Sequence, residues 1–197
     1  MVQQLKAALR EKLLKKRNAL SADEVRQMSG AIAERLLVHP RFKEAKTVGV
    51  YLPKGNEADT KSIIEAAWKL KKTVCAPVTD HTITFYQFSS FEDLKEGKFG
   101  ILEPKTRNAH AKSKPPKPKT QNTEPSEPDI ILVPGVAFGL CMHRLGYGKG
   151  YYDKHLAKSR AYRIGICFDF QVMESLPKHE DDQRMDEILT DKRAIPM

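Results

Sequence analysis

The sequence has 197 residues, of which 40% are hydrophobic and 30% charged, and its formal net charge is +9 at pH 7. This length can bury a core without disulfide or metal staples, and the composition is typical of a water-soluble globular protein. No apolar run approaches the roughly 18 residues of a membrane span, and the charged N-terminus lacks the apolar region of a secretory signal. A cytoplasmic protein without a membrane partner is therefore expected.

The positive charge is concentrated in two segments. Residues 1–20 contain six basic residues and one acidic residue, and residues 104–128 contain six basic and two acidic residues, which gives net charges of +5 and +4. Neither segment contains an aromatic residue, whereas nucleic-acid-binding proteins more often combine a basic face with aromatics. No nucleic-acid partner is expected, although an alternative in which segment 104–128 binds RNA stays open.

Two helices are predicted at the start of the chain. In residues 3–18, steps of four and seven residues return to nearly the same helix face, which gives an apolar stripe and a basic stripe: Leu5, Leu9 and Leu13, and Lys6, Arg10 and Arg17. The sequence SADE, residues 21–24, is a capping box in which Ser21 is the N-cap and Glu24 reaches back. It predicts a second helix, which ends at His39 because Pro40 follows.

Strands and helices alternate after residue 40. Apolar and β-branched runs predict strands at 46–52, 73–78, 82–88, 129–134 and 162–168, and residues 57–72 predict a helix. This alternation indicates an α/β fold with a mainly parallel sheet. The three cysteines are widely spaced and form no CxxC pair, so neither a disulfide framework nor a zinc site is indicated.

Residues 104–128 differ from the rest of the chain because they contain six of its 12 prolines and almost no apolar side chains. Such a segment buries too little surface to offset its ordering entropy. We expect one domain spanning residues 1–197, with a mobile Pro/Lys-rich loop at about 104–128. A solvated loop is the simpler interpretation, and a flap over an anionic substrate is the alternative.

The segment RLGYGKGYYD, residues 144–153, is the candidate site. A long loop at 136–149 follows the predicted strand 129–134, and glycines 146, 148 and 150 precede a predicted helix. Ligands bind at the carboxyl ends of strands in open α/β sheets, and a glycine-rich turn entering a helix offers unpaired N–H groups to phosphate. The spacing fits neither a Walker loop nor a dinucleotide fingerprint. Phosphate binding and a purely structural turn therefore both remain open.

The run VPGVAF followed by RLGYGKGYYD resembles the signature of the 5-formyltetrahydrofolate cyclo-ligases, also called 5,10-methenyltetrahydrofolate synthetases. Weaker similarities occur in the family's order: a K-x-x-x-R helix at Lys6 and Arg10, an E-x-x-T loop at Glu57 and Thr60, and a Q…LP…D…D…T pattern that begins at Gln171. The resemblance covers most of the chain. It implies a three-layer α/β/α fold with a mainly parallel sheet, similar to the sugar-phosphate isomerase and CoA transferase-like group.

The activity that the resemblance implies is an ATP- and Mg²⁺-dependent ring closure. The formyl oxygen of 5-formyltetrahydrofolate takes the γ-phosphoryl group, N10 attacks the formyl carbon, and phosphate leaves to give the 5,10-methenyl product and ADP. Catalysis of phosphoryl transfer is mostly positioning and charge neutralisation, which lysine, arginine and glycine N–H groups can supply. The implied protein is a cytoplasmic, monomeric enzyme of one-carbon metabolism with ATP and the formyl folate as partners.

The resemblance also assigns roles to residues. Lys149, Arg144 and Tyr151 would be catalytic, Leu52, Glu57 and Tyr151 would bind the folate, and Asp153 and Asp182 would hold Mg²⁺. The residues that would contact ATP are Lys6, Arg10, Arg144, Leu145, Gly146, Tyr147, Gly148, Lys149, Gly150, Tyr151 and Tyr152. Considered without the resemblance, Lys6 and Arg10 equally fit a solvated helix face, Asp153 a helix cap, and Asp182 a polar loop.

One departure from the family pattern concerns the segment AFGLCMHRLG. The family usually has AFDxxG, and here Gly139 stands in place of the aspartate and Met142 in place of the glycine. This change puts the conformation of the loop and a hydrogen-bonding acid in doubt. It leaves open a non-catalytic binding protein, or another enzyme that uses ATP or a sugar phosphate on a similar scaffold.

Overall fold

The computed structural model describes residues 2–80, 82–97, 100–106 and 125–197. Five α-helices occur in these ranges: α1 (Val2–Asn18), α2 (Ala22–Val38), α3 (Pro40–Glu44), α4 (Lys61–Lys69) and α5 (Tyr151–Leu156). The strands of the same ranges are β1 (Thr47–Gly49), β2 (Thr73–Thr79), β3 (Ile83–Gln87), β4 (Leu94–Glu96), β5 (Leu102–Pro104), β6 (Ile130–Pro134), β7 (Ala137–Gly139), β8 (Arg144–Leu145), β9 (Tyr162–Ile166), β10 (Val172–Met173), β11 (Glu187–Leu189) and β12 (Ala194–Pro196).

A seven-stranded sheet with the order β12-β11-β9-β6-β1-β2-β3 forms the centre of the fold. The five inner strands pair in parallel, and the edge strands β12 and β3 pair antiparallel to their neighbours. This confirms the predicted α/β fold with a mainly parallel sheet. The chain runs outward from β1 to β2 on one side and from β6 to β9 on the other, so the strand order reverses between β1 and β6.

Side chains of the inner strands alternate between two apolar cores, because successive residues of a strand point to opposite faces. In β6, Ile130 and Leu132 join one core and Ile131 and Val133 the other. Helices α2, α3 and α4 cover the first core, whereas α5 and strand β7 contribute side chains to the second. The long apolar run of β6 is therefore explained by burial on both faces, as expected for a central strand.

The capping box is present as predicted. The amide of Glu24 donates to Ser21 Oγ at 3.2 Å, and the amide of Ser21 donates to Glu24 Oε2 at 2.8 Å. The strand predicted at 162–168 ends at Ile166. The elements predicted at 46–52 and 57–72 were also too long: the strand ends at Gly49, and the helix spans only Lys61–Lys69. The residues between them form a loop in which Thr60 Oγ1 donates to the Tyr51 carbonyl oxygen, a bond that satisfies buried polar groups without extending either element.

The loop predicted at 136–149 was also wrong in part, because it contains the hairpin of β7 and β8. Its turn is closed by the amide of Met142, which donates to the Gly139 carbonyl oxygen at 2.8 Å. Met142 has φ of +66°, the left-handed conformation that glycine adopts most easily. Its side chain is buried in the second core, so packing offsets the backbone strain and the turn forms without the family's usual glycine.

Most of the predicted loop at 104–128 lies outside the described residues, which resume at Pro125. Strand β5 and the amide of Ser126, which donates to the Phe85 carbonyl oxygen at 2.9 Å, mark its described ends. The mobile loop and its flap alternative stay predictions. No helix in the described ranges is long and apolar enough to cross a membrane. Cys75, Cys141 and Cys167 are all free thiols.

Strand β9 depends on a glycine as the fourth of its five residues. A Cβ at Gly165 would overlap the ring of Phe138, which is fully buried. We expect Gly165→Ala to lower the free energy of unfolding by about 1–3 kcal/mol, the usual cost of overpacking a core. Gly30→Ala is the matched control, because Gly30 lies in α2 with no atom within 4 Å of an added Cβ.

Chemical denaturation of both variants tests this expectation. Gly30→Ala should stabilise the protein by about 0.5–1 kcal/mol, since alanine is the better helix former. Equal stability of the two variants would contradict the close approach of Phe138 to β9.

Candidate active site

A cavity of about 1030 Å³ opens at the carboxyl ends of β1, β2 and β6. Leu52 lies just after β1, Thr79 ends β2, and Pro134 ends β6, and all three line the cavity. The cavity therefore lies beside the point between β1 and β6 where the strand order reverses, the usual position of ligand sites in open α/β sheets. Helix α1, the glycine-rich loop at 146–150 and residues 179–183 complete its wall.

Helix α1 places its basic stripe toward the interior. Lys6 and Arg17 are 6% and 3% exposed, whereas Leu5 is 56% exposed. Each of the three basic residues has a partner elsewhere: Lys6 Nζ pairs with Asp182 Oδ2 at 2.7 Å, Arg10 Nε donates to the Gly146 carbonyl oxygen at 2.7 Å, and Arg17 Nη2 donates to Tyr147 Oη at 2.6 Å. The alternative of a solvated basic helix face was therefore wrong.

The glycine-rich loop at 146–150 presents unpaired backbone groups to the cavity wall. Within the described part of the chain, the N–H groups of these five residues donate no hydrogen bond. Gly148 and Gly150 have φ of +95° and +67°, a left-handed region that favours glycine. A Cβ at Gly148 would lie 3.4 Å from Arg10 Nη2. Because α5 has only six residues, the loop amides would contribute more to the binding of an anion than the helix dipole would.

Arg144 is a buried cation that borders the cavity. Its side chain is 5% exposed, its Nη2 donates to Asp153 Oδ2 at 2.9 Å, and its guanidinium lies 5.2 Å from the ring centre of Tyr152. Burial lowers the pKa of Arg144, and the nearby Asp153 counteracts that shift. Arg144 Nε has no partner in the described residues. One donor of a fixed guanidinium thus remains unused beside the cavity.

The two predicted metal ligands lie on the same wall. The amide of Gln183 donates to Asp153 Oδ1 at 3.2 Å, and the amide of His179 donates to Asp182 Oδ2 at 2.8 Å. Partial burial alone would raise the pKa of Asp182, but hydrogen bonds from Lys6 and His179 outweigh it and keep the pKa low. No cluster of three or more His, Cys, Asp or Glu occurs in the residues described.

Leu52 and Glu57 line the other end of the cavity, and both are buried. Glu57 Oε1 accepts from Tyr147 Oη at 2.9 Å, and Oε2 accepts from the Lys54 amide at 2.9 Å. Burial raises the pKa of Tyr147 to about 12. Tyr152 Oη is buried without a partner in the described residues, and burial raises its pKa as well.

The residues singled out from the sequence all line this one cavity: Lys6, Arg10, Leu52, Glu57, Arg144, Leu145, Gly146, Tyr147, Gly148, Lys149, Gly150, Tyr151, Tyr152, Asp153 and Asp182. Gly139 and Met142 do not belong to its lining, so the departure from the family pattern lies away from it. Sequence reasoning missed the contacts of Arg17, because its acidic partner Glu57 is 40 residues away and no spacing rule links them.

Comparison with known proteins gives one consistent family. Residues 2–191 match the model of the 5-formyltetrahydrofolate cyclo-ligase family. A protein of Schizosaccharomyces pombe named probable 5-formyltetrahydrofolate cyclo-ligase is 32% identical, over 98% of this chain and 96% of its own. The 5-formyltetrahydrofolate cyclo-ligase of Escherichia coli K12 is 28% identical, over 91% of this chain and 96% of its own.

Solved structures agree with these sequence matches. The NMR structure of Aquifex aeolicus 5,10-methenyltetrahydrofolate synthetase superposes with a TM-score of 0.81 at 35% identity, and the match covers 98% of this chain and 92% of that one. The Mycoplasma pneumoniae 5,10-methenyltetrahydrofolate synthetase gives 0.71 at 26% identity, with 94% and 98% covered. The shared fold therefore extends over nearly the whole chain.

Proposed function

Because the chain belongs to the 5-formyltetrahydrofolate cyclo-ligase family, we propose that it converts 5-formyltetrahydrofolate to 5,10-methenyltetrahydrofolate with ATP and Mg²⁺. The observation that supports this most is the convergence of cations, free loop amides and two carboxylates on one cavity beside β1 and β6. Its volume of about 1030 Å³ is at the upper end of ordinary ligand pockets. It therefore suits two substrates bound together.

The proposed reaction has two chemical steps. The formyl oxygen attacks the γ-phosphorus of ATP, and ADP leaves. The formyl oxygen, a poor leaving group by itself, is thereby converted to a phosphate ester. The N10 nitrogen then attacks the formyl carbon, the carbon–oxygen bond breaks, and phosphate departs as N10 loses its proton. Both steps need the formyl group held between the γ-phosphate and N10, so positioning supplies much of the rate.

Four cations form the nucleotide end of the site. Lys6, Arg10 and Arg144 are held by internal hydrogen bonds, and they border the loop whose N–H groups are unpaired. We assign these groups to the phosphates of ATP. Lys149 is exposed and makes no ion pair or hydrogen bond within the described residues, so its side chain is free to follow the phosphoryl group as charge develops.

The folate end is formed by Leu52, Glu57 and Tyr151. Leu52 supplies apolar contact, and the Glu57 carboxylate keeps unused lone pairs that can accept N–H donors of the pterin ring. Tyr151 begins α5 directly after the glycine-rich loop and lines the cavity, so we assign its ring to the junction of the nucleotide and folate ends. We infer that Tyr151 orients the formyl group toward the phosphate.

The carboxylates Asp153 and Asp182 suit Mg²⁺, which binds through one or two carboxylates together with waters and substrate phosphates. Each already accepts a backbone hydrogen bond on one oxygen, so both side chains are held at the cavity wall. Bound there, the ion would neutralise phosphate charge. The chain would contribute these two carboxylates, and the described residues hold no group of three or more such ligands, in keeping with that preference.

The direct test is the near-ultraviolet absorbance of the methenyl product. Purified protein is mixed with 5-formyltetrahydrofolate, ATP and Mg²⁺, with parallel samples that lack ATP or contain an analogue with a non-transferable γ-phosphate. We expect absorbance to grow only in the complete mixture. A folded protein that binds ATP and the folate but forms no product would overturn the proposal and favour a non-catalytic binding role.

A further inference from the structure

Arg17 lies at the centre of a network that joins the two ends of the site; its members Arg17 and Glu57 are buried, and Tyr147 is 51% exposed. Its Nη2 donates to Tyr147 Oη at 2.6 Å, its Nη1 lies 3.7 Å from Glu57 Oε1, and Tyr147 Oη donates to the same oxygen at 2.9 Å. The Arg17 side chain is 4% exposed and that of Glu57 is 7% exposed. The guanidinium also lies 5.9 Å from the Tyr147 ring centre.

A buried carboxylate is costly unless a cation and hydrogen bonds compensate it. In the described residues, Arg17 is the basic side chain that pairs with Glu57. The remaining contacts of the Glu57 carboxylate are Tyr147 Oη and the Lys54 amide, and neither carries a full charge. Arg17 therefore supplies the countercharge to the buried Glu57 carboxylate and helps to fix where its oxygens point.

The loop that carries Glu57 is attached to the same end of α1. Asn56 Nδ2 donates to the carbonyl oxygens of Arg17 at 3.2 Å and Leu20 at 2.9 Å, which adds a second bond to the Arg17 carbonyl and holds the chain just beyond the helix end. The backbone of Arg17 thus anchors Asn56, and its side chain anchors the neighbouring Glu57. Tyr147 extends the connection into the glycine-rich loop.

We propose that Arg17 is a positioning residue that fixes Glu57 for the folate and ties it, through Tyr147, to the nucleotide loop. This inference rests on the proposed function. Arg17 does not line the cavity, so it acts through Glu57 and Tyr147. Its loss should weaken folate binding more than ATP binding, because Lys6 and Arg10 keep their own partners on the nucleotide side.

The test compares kcat and both KM values of the wild type with those of Arg17→Met, Arg17→Lys, Tyr147→Phe and the control Lys15→Met. Lys15 lies on the exposed face of the same helix. Loss of one charged hydrogen bond corresponds to a loss of affinity of about 10-fold or more. We expect Arg17→Met to raise the KM for folate by about that factor, with the KM for ATP changed less than about 3-fold.

Further readouts separate positioning from simple damage to the fold. The folate affinity of Arg17→Met, measured without ATP by calorimetry, should weaken by about 10-fold, whereas its ATP affinity, measured without folate, should change by less than about 3-fold. Arg17→Lys should recover part of the affinity, because lysine keeps the positive charge but lacks the planar guanidinium that reaches Tyr147 and Glu57 together. Tyr147→Phe should weaken folate binding less, and its effect should not add fully to that of Arg17→Met.

Each outcome bears on the proposal. An unchanged folate KM in a folded Arg17→Met variant would overturn it, and so would a larger loss for ATP than for folate, which would show that Arg17 merely docks α1. If Arg17→Met does not fold, the same comparison of folate KM with ATP KM is made on Arg17→Lys and Tyr147→Phe, and an unchanged folate KM in both would overturn the proposal. A wild-type protein with no cyclisation activity would refute the proposed function instead, so the two failures are distinguishable.

Discussion

Lys149→Ala is expected to lower kcat for methenyl formation by about 10²–10³-fold, the usual effect of removing one group that stabilises transition-state charge. Lys149 stands between Gly148 and Gly150 in the cavity wall, and it has no ion pair or hydrogen bond with the described residues. Because no internal contact is lost, the free energy of unfolding should change by less than about 0.5 kcal/mol.

Single-turnover kinetics with the product absorbance as signal would measure this effect. Lys158→Ala serves as the control, since Lys158 is also an exposed lysine but does not line the cavity. Near-normal turnover in Lys149→Ala would show that the lysine has no role in phosphoryl transfer. The charge of the phosphoryl group would then be stabilised by Arg144 and the loop amides. An equal loss in Lys158→Ala would point to net charge as the cause.

Arg144→Met should reduce both activity and stability, in contrast to Lys149→Ala. Its guanidinium is buried against Asp153 at 2.9 Å and packs on Tyr152. Removing it leaves the Asp153 carboxylate, 21% exposed, without its cation. We expect the free energy of unfolding to fall by about 2–4 kcal/mol, near the cost of breaking a buried pair, and kcat/KM to fall by about 10³-fold.

Urea denaturation and steady-state kinetics on a short series would separate these effects. Arg144→Lys retains the charge but not the planar fork, so it should recover some stability and little activity. Arg144→Met combined with Asp153→Asn should be more stable than Arg144→Met alone, because no carboxylate is left unpaired. If the double variant is equally unstable, the loss arises from packing on Tyr152 rather than from charge.

The parts of the fold that the sequence predicted well are those with strong local signals. The capping box at Ser21 and the continuous apolar run of β6 depend only on neighbouring residues, and both are present. Strands β11 and β12 have three residues each, too few to show a period of two, and they were not predicted. Strand β11 pairs with β9, about 23 residues earlier in the chain, and β12 pairs only with β11 among the described strands.

The candidate site was predictable from its residue types but not in its electrostatics. Lysine and arginine on a helix are normally exposed, so nothing local indicates that Lys6 and Arg17 face inward. Their acidic partners, Asp182 and Glu57, are 176 and 40 residues away. Long-range pairing of this kind becomes visible only when the fold brings α1 against the glycine-rich loop.

The pairing of Lys6 with Asp182 and of Arg144 with Asp153 has a consequence for selectivity. Each pair joins a cation assigned to phosphate with a carboxylate assigned to the metal, so the charges within each pair balance. Arg10 and Lys149 stand outside these pairs and can meet a bare phosphate, but a phosphate that also drew on Lys6 and Arg144 would leave two carboxylates uncompensated. A bare divalent ion at the two carboxylates would likewise leave two cations without their partners. A ligand that brings both charges lets the pairs exchange partners without that penalty, so the site should bind the nucleotide with its metal more tightly than inorganic phosphate or the free cation.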